Sequence, residues 1–219
     1  ENMNGFEYIK IAAERGSKLG LERIAELCEK LGNPQNKTKI IHIAGTNGKG
    51  SFGAMLSAVL AESGYKIGGF SSPALTDLTD SFRINGKSIT DEEFNSVMAD
   101  IIPICEDMAD KPTEFEVLTA AAYELFSREN CDIALIECGM GGETDSTNVV
   151  ENPLLSVITN IALDHTAFLG DTIEEIAHCK AGIIKKSRPV LYGGDELALD
   201  TIRNISRKNG SQLTLADSD

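Results

Sequence analysis

One segment constrains this chain more than any other. Residues 39–44 form an apolar run that feeds directly into Gly45-Thr46-Asn47-Gly48-Lys49-Gly50-Ser51, and a helical stretch over 49–63 follows. Glycines let the backbone turn back on itself and bring successive N–H groups toward an anion without side-chain clash. The N-terminus of the helix adds partial positive charge. Lys49 is placed to neutralise terminal phosphates, and the Ser51 hydroxyl to assist phosphate or magnesium binding. The pattern departs from GxxxxGK[ST], because Ile43 stands at the first glycine position and Gly50 separates Lys49 from Ser51. A flexible glycine turn with an incidental lysine is the alternative. The strand–loop–helix setting favours phosphates, so residues 45–51 are read as an ATP-binding loop.

The flanking sequence supplies the layers such a loop needs. Apolar residues at Leu21, Ile24, Leu27, Cys28 and Leu31 have helical spacing, stopped by Gly32 and Pro34. Thr90 with Glu93, and Thr113 with Glu116, match capping boxes that start helices over 91–109 and 114–129. Asp171 or Thr172 caps another helix to about 184, and a further one covers 195–207. Residues 66–70, 132–137, 154–159, 189–192 and 212–215 read as strands. Strands separated by helices imply an α/β chain with a mostly parallel sheet flanked by helices, one domain over 1–219. In such sheets ligands bind beyond the strand C-termini, so polar residues there are the candidates.

Composition excludes several classes. A formal charge of −14 opposes nucleic acid and anionic lipid, which call for clustered Lys and Arg. The one basic cluster, Lys185, Lys186 and Arg188, is short and is read as a solvated helix end. No apolar run approaches the roughly 18 residues of a membrane span. Five scattered cysteines without a CxxC pair suit a reducing cytoplasm. Residues 1–5 are polar, with neither a signal-peptide pattern nor an initiator Met, as expected of a trimmed product.

Three strand ends then share one chemistry. Glu137 closes an apolar strand and opens Cys138-Gly139-Met140-Gly141-Gly142; a carboxylate there suits Mg²⁺, or simply ends the strand. Asp164-His165 follows the next strand. Lys180 lies in an otherwise apolar helical stretch, where it either snorkels to solvent or loses its hydration and becomes chemically useful. Cys179 beside it is read as a packed, inert thiol.

Taken together, these segments resemble the folylpolyglutamate synthase and dihydrofolate synthase family of the Mur ligase superfamily. The resemblance rests on the run from His42 to Ser51, Ser71-Ser72-Pro73, Phe115-Glu116 with Leu118-Thr119, the run from Glu137 to Gly142, and Asp145-Ser146-Thr147-Asn148. It continues through Ile158-Thr159-Asn160, Asp164-His165, Leu169-Gly170-Asp171-Thr172 and Lys180-Ala181-Gly182-Ile183, in the family's order over residues 20–190. The resemblance implies a phosphate-loop-containing, Mur-ligase-type central domain that is incomplete here. It also implies a C-terminal, glutamate-binding domain absent from this chain, and a fragment that binds nucleotide weakly and does not complete ligation alone. The implied reaction of folate and one-carbon metabolism activates a carboxylate of dihydropteroate or a folate as an acyl phosphate, using ATP; glutamate then displaces phosphate. By resemblance Lys49, His165 and Lys180 are catalytic, Ser72, Glu137 and His165 hold two magnesium ions, and Lys180 matches a lysine that is carbamylated. Phe115 and Asp145 fall in segments that contact the pterin.

Where the family carries His, Glu-Arg, Arg and Glu, this chain has Ala74, Asp80-Ser81, Glu143 and Cys179. These departures touch pterin recognition and leave the phosphate loop intact. Two alternatives follow: a diverged, non-catalytic nucleotide-binding module, and another Mur-type amino-acid ligase. The expected partners are small molecules, with no nucleic acid or membrane, and the expected state is a cytoplasmic monomer.

Overall fold

The computed structural model describes residues 3–163 and 169–216. Its eight-stranded sheet comprises β1 (Lys39–Ala44), β2 (Ile67–Phe70), β3 (Phe82–Ile84), β4 (Lys87–Ser88), β5 (Ile133–Glu137), β6 (Leu155–Ile158), β7 (Val190–Tyr192) and β8 (Leu213–Leu215). The spatial order is β4-β3-β2-β5-β1-β6-β7-β8. The six strands expected from sequence pair in parallel, and the β3–β4 hairpin adds an antiparallel edge. That hairpin turns on Asn85 and Gly86, both at positive φ, a combination that favours a tight two-residue turn. Among the described residues the helices include α1 (Gly5–Ala13), α2 (Glu22–Lys30), α3 (Lys49–Glu62), α4 (Asp91–Asp107), α5 (Glu114–Arg128), α6 (Ile173–Ala181) and α7 (Glu196–Lys208). Capping boxes at Thr90/Glu93, Thr113/Glu116 and Thr172/Glu175 start α4, α5 and α6. A fourth, Asn4 with Glu7, starts α1, which apolar spacing alone does not predict.

α5 is buried from Glu116 through Tyr123 because it is enclosed by α1, α2 and α4 on one side and the sheet on the other. Glu116 reaches that interior fully paired. Arg23 Nε bonds both its oxygens at 3.1 Å, and its Oε2 accepts the Thr113 N–H at 2.7 Å. On the opposite sheet face, α3 lays Phe52, Leu56 and Leu60 over Ile41, Ile43 and Leu135. α6 and α7 pack around Ile158, Val190 and Tyr192. Among the described residues no helix is long and apolar enough to cross a membrane.

The basic cluster is not a solvated helix end. α6 stops at Ala181, and Lys185 folds inward, its Nζ 3.3 Å from the Asn148 carbonyl and 3.7 Å from Glu151. Arg188 Nε donates to the Pro153 carbonyl at 2.6 Å. Carbonyls left open by the irregular 148–153 segment draw these cations in, which charge counting along the sequence does not register.

Adjacent glycines in β2 face opposite layers. A Cβ on Gly68 would lie 2.6 Å from the Phe126 ring, whereas one on Gly69 would meet nothing closer than Arg83 Cβ at 3.8 Å. Gly68→Ala should therefore cost about 1–3 kcal/mol in chemical denaturation, with Gly69→Ala near neutral. Equal effects would show that α5 yields at Phe126.

Candidate active site

β1 runs parallel to both β5 and β6, so the C-terminal ends of three central strands open onto one crevice. The loop after β1 is fastened to the segment after β6. Asn160 Oδ1 accepts the Asn47 N–H at 2.8 Å, and the Asn160 carbonyl accepts the Thr46 N–H at 3.0 Å. The Thr46 hydroxyl donates to the Ala162 carbonyl and accepts its N–H, at 3.2 and 3.0 Å. Thr159 Oγ1 donates to the Asn47 carbonyl at 2.6 Å. Gly45, at φ 148°, has no room for a side chain, because a Cβ would strike Thr159 Oγ1. Gly48, at φ 81°, caps α3 with no side-chain hydrogen bond. Lys49 curls back, its Nζ donating to the Gly45 carbonyl at 2.8 Å.

Two clefts meet at this loop. The larger, about 590 Å³, runs between α3 and the β2–β3 edge; the smaller, about 220 Å³, lies toward α6. Thr46, Lys49 and Ser72 line both, Glu137 lines the larger, and Lys180 lines the smaller. Glu137 is 7% exposed, and burial pushes its carboxyl up to about 7 against the pull of Lys49 and Arg83. Neither of its oxygens takes a hydrogen bond from a described residue. Arg83 arrives on the antiparallel hairpin; the Asn85-Gly86 turn signal could have found that hairpin in the sequence.

Lys180 does not snorkel. It is 2% exposed, because the 138–142 loop presses on the end of α6: the Glu143 N–H bonds the Cys179 carbonyl at 2.8 Å, and a Cβ on Gly142 would lie 2.8 Å from the Lys180 carbonyl. Cys179, whose thiol is raised by burial, contacts the Leu169 carbonyl at 3.6 Å, as a packed thiol should. Asp145 is buried and shapes the loop. Its Oδ2 accepts the Met140 N–H at 2.8 Å, and its Oδ1 accepts the Thr147 N–H at 3.0 Å and the Thr147 hydroxyl at 2.5 Å. Burial nevertheless raises the Asp145 carboxyl above its ordinary value. The half-buried Phe115 ring stacks on Phe70 with centroids 6.0 Å apart and covers Gly139. Phe115 and Asp145 stand behind the clefts rather than lining them. His165 and Asp164 lie outside the described residues. Asp80, at a family departure, accepts the Thr76 and Asp77 N–H groups at 3.1 Å and the Ser88 hydroxyl at 2.7 Å, so its loop is closed without the usual Glu-Arg pair.

Glu137 carries a pH signature. Its folded carboxyl is raised above the ordinary 4.5, so the folded chain binds more protons than the unfolded one between about 4.5 and 7. Stability should fall as pH rises through that window, by up to about 3 kcal/mol, and level off above it. In metal-free urea titrations, Glu137→Gln should abolish that fall. An unchanged pH slope in the variant would remove Glu137 as its source.

Comparison with known proteins fits this geometry. The Mur ligase middle domain model matches residues 43–218. The chain is 42% identical over 206 residues to a dihydrofolate synthetase of Saccharomyces cerevisiae, covering 92% of this chain and 48% of that protein. It is 42% identical over 202 residues to the dihydrofolate synthase/folylpolyglutamate synthase of Bacillus subtilis, covering 90% and 47%. Among solved structures, E. coli FolC in complex with DHPP and ADP superposes with a TM-score of 0.90 at 33% identity, covering 98% of this chain and 51% of that one. The chain thus spans about half the length of these relatives. With its phosphate loop, parallel sheet and matched residues, this chain belongs to the Mur ligase family through its middle domain.

Proposed function

We propose that this chain forms the nucleotide-binding part of an ATP-dependent ligase that joins L-glutamate to the carboxylate of a folate or of dihydropteroate. The observation that carries the reading is the shared wall of the two clefts, where Lys49 and Ser72 stand between Glu137 and Lys180. A phosphoryl donor and an acceptor carboxylate brought together there react across one loop. The names of the matched synthases, and the ADP and DHPP in the E. coli structure, support the same chemistry.

In this reaction a carboxylate oxygen of the acid takes the γ-phosphoryl group of ATP and ADP leaves. The glutamate amine then attacks the acyl carbon, and phosphate leaves as the amide forms. Such transfer needs charge neutralisation and alignment more than a protein nucleophile. The N–H groups of residues 48–51 at the start of α3 cradle the phosphates, those of Thr46 and Asn47 being held by Asn160. Lys49, already held against the Gly45 carbonyl, offsets charge on the transferring group. Among the described residues Glu137 is a buried carboxylate without a hydrogen bond, and no group of three His, Cys, Asp or Glu side chains could hold a metal. That donor set fits Mg²⁺, which takes one or two protein ligands and completes its shell with phosphate oxygens and water. Ser72 and Glu137 would hold it, with His165 added by resemblance, in a site that takes two such ions. When bound, Mg²⁺ neutralises phosphate charge. Lys180, at the wall of the smaller cleft, is assigned as the carbamylated lysine, a change that turns a buried cation into an anion facing the acceptor side. Phe115 and Asp145 are assigned to the pterin side through the loop they support.

Lys49→Ala should reduce nucleotide affinity by at least about tenfold in calorimetry, the scale of losing one charge-assisted contact. Lys180→Ala should leave that affinity unchanged and depress turnover. Equal loss of binding in both would refute this division of roles. The protein carrying this chain should release ADP only when glutamate and a folate or dihydropteroate are both present. Tight ATP binding without turnover on any of these acids would favour a non-catalytic nucleotide-binding module.

A further inference from the structure

Beneath the 138–142 loop lies a polar cluster that phosphate binding does not use. His42 stands on β1, three residues before Gly45, and is fully buried. Its Nε2 is 2.8 Å from Thr147 Oγ1 and 3.3 Å from Cys138 Sγ, and its Nδ1 has no hydrogen-bond partner among the described residues. Thr147 Oγ1 is also 2.5 Å from Asp145 Oδ1.

A hydroxyl has one proton to give. Both Asp145 oxygens already accept backbone N–H groups, from Met140 and Thr147, which marks the carboxylate as the acceptor of the Thr147 hydroxyl proton. Thr147 Oγ1 must then accept on its other side. The nearest donor there is the imidazole; Cys138 Sγ is farther, at 3.6 Å. The orphaned Nδ1 agrees, since an unpaired acceptor in a dry core is tolerated better than an unpaired N–H.

We propose that His42 is a positioning residue, held as the Nε2–H tautomer that donates to Thr147 and so locks the Thr147 hydroxyl onto Asp145, the carboxylate that shapes the 138–142 loop. The chain of contacts runs from His42 through Thr147 and Asp145 to the Met140 N–H, and the neighbouring Gly139 supports the Phe115 ring. It ends on the side assigned to the acidic substrate, although His42 belongs to the strand that feeds the phosphate loop. The kinetic consequence rests on the ligase reading above; the tautomer does not.

Nitrogen-15 NMR of the chain near neutral pH reads the tautomer. With three histidines in the sequence, loss of one signal set in His42→Leu, or in His42→Gln should the first fail to fold, assigns the resonance. The expected pattern is a protonated Nε2 and an unprotonated Nδ1; the reverse overturns the proposal. In steady-state assays of the protein carrying this chain, His42→Leu should raise KM for the folate or dihydropteroate acid roughly tenfold and move KM for ATP by less than about twofold. His42→Gln, which retains an N–H donor, should recover most of the loss. Equal rises in both KM values, or no recovery with Gln, would mean that His42 merely fills β1. A wild-type protein with no turnover on any acid would sink the ligase reading, and the tautomer measurement would then decide the proposal alone.

Discussion

The site depends on β1 being hydrogen-bonded along both edges by strands that come later in the chain. β5 pairs on one side and β6 on the other, so the segments after Ala44, Glu137 and Ile158 must emerge together. From that constraint follow the bonds that hold the phosphate loop. Asn160 holds the Thr46 and Asn47 N–H groups in place, and Thr159 fills the space a Gly45 side chain would need. The loop is therefore shaped before any anion arrives. Preorganised donors are worth most in a site of this kind, because nothing has to reorganise when charge moves.

Local charge runs against the charge of the whole. The chain carries −14, yet Lys49 and Arg83 line the larger cleft beside Glu137, and Lys49 lines the smaller as well. Long-range attraction of anions is thus weak, while short-range neutralisation inside the clefts is strong. Burial sets how these groups behave. It raises Glu137 to about 7 and lowers His42 to about 3, so His42 remains a neutral hydrogen-bonding group across physiological pH. The inward-turned Lys185 adds to the second effect. Glu116 shows the contrasting solution, a buried carboxylate with Arg23 clamped on both oxygens. Glu137 has no such clamp among the described residues, and an unclamped buried carboxylate at a strand end suits a group that must meet an incoming cation.

Much of the scaffold was legible in local chemistry. The apolar run before Gly45, the capping pairs at Thr90, Thr113 and Thr172, and the parallel strands all express backbone propensities that act within a few residues. The antiparallel edge and α1 escaped because their signals are short: one Asn85-Gly86 turn and one Asn4–Glu7 cap, without long apolar periodicity behind them. Of the candidate site, Lys49, Ser72, Glu137 and Lys180 meet around the two clefts, while Phe115 and Asp145 stand behind them.

By itself, then, the sequence determined the residue types at the strand ends and the backbone freedom of the loop, since both are properties of the residues themselves. Which ends share a crevice was decided by strand order, which brings residues such as Asn47 and Asn160 into contact across more than a hundred positions. Tertiary structure also decided the fate of each charge. Lys180 is buried because a glycine loop closes over α6, Lys185 turns inward because open carbonyls await it, and His42 meets Thr147 because β1 underlies the 145–148 turn. Solvation and partner geometry at those positions come from segments far apart in the chain, and no local pattern encodes them.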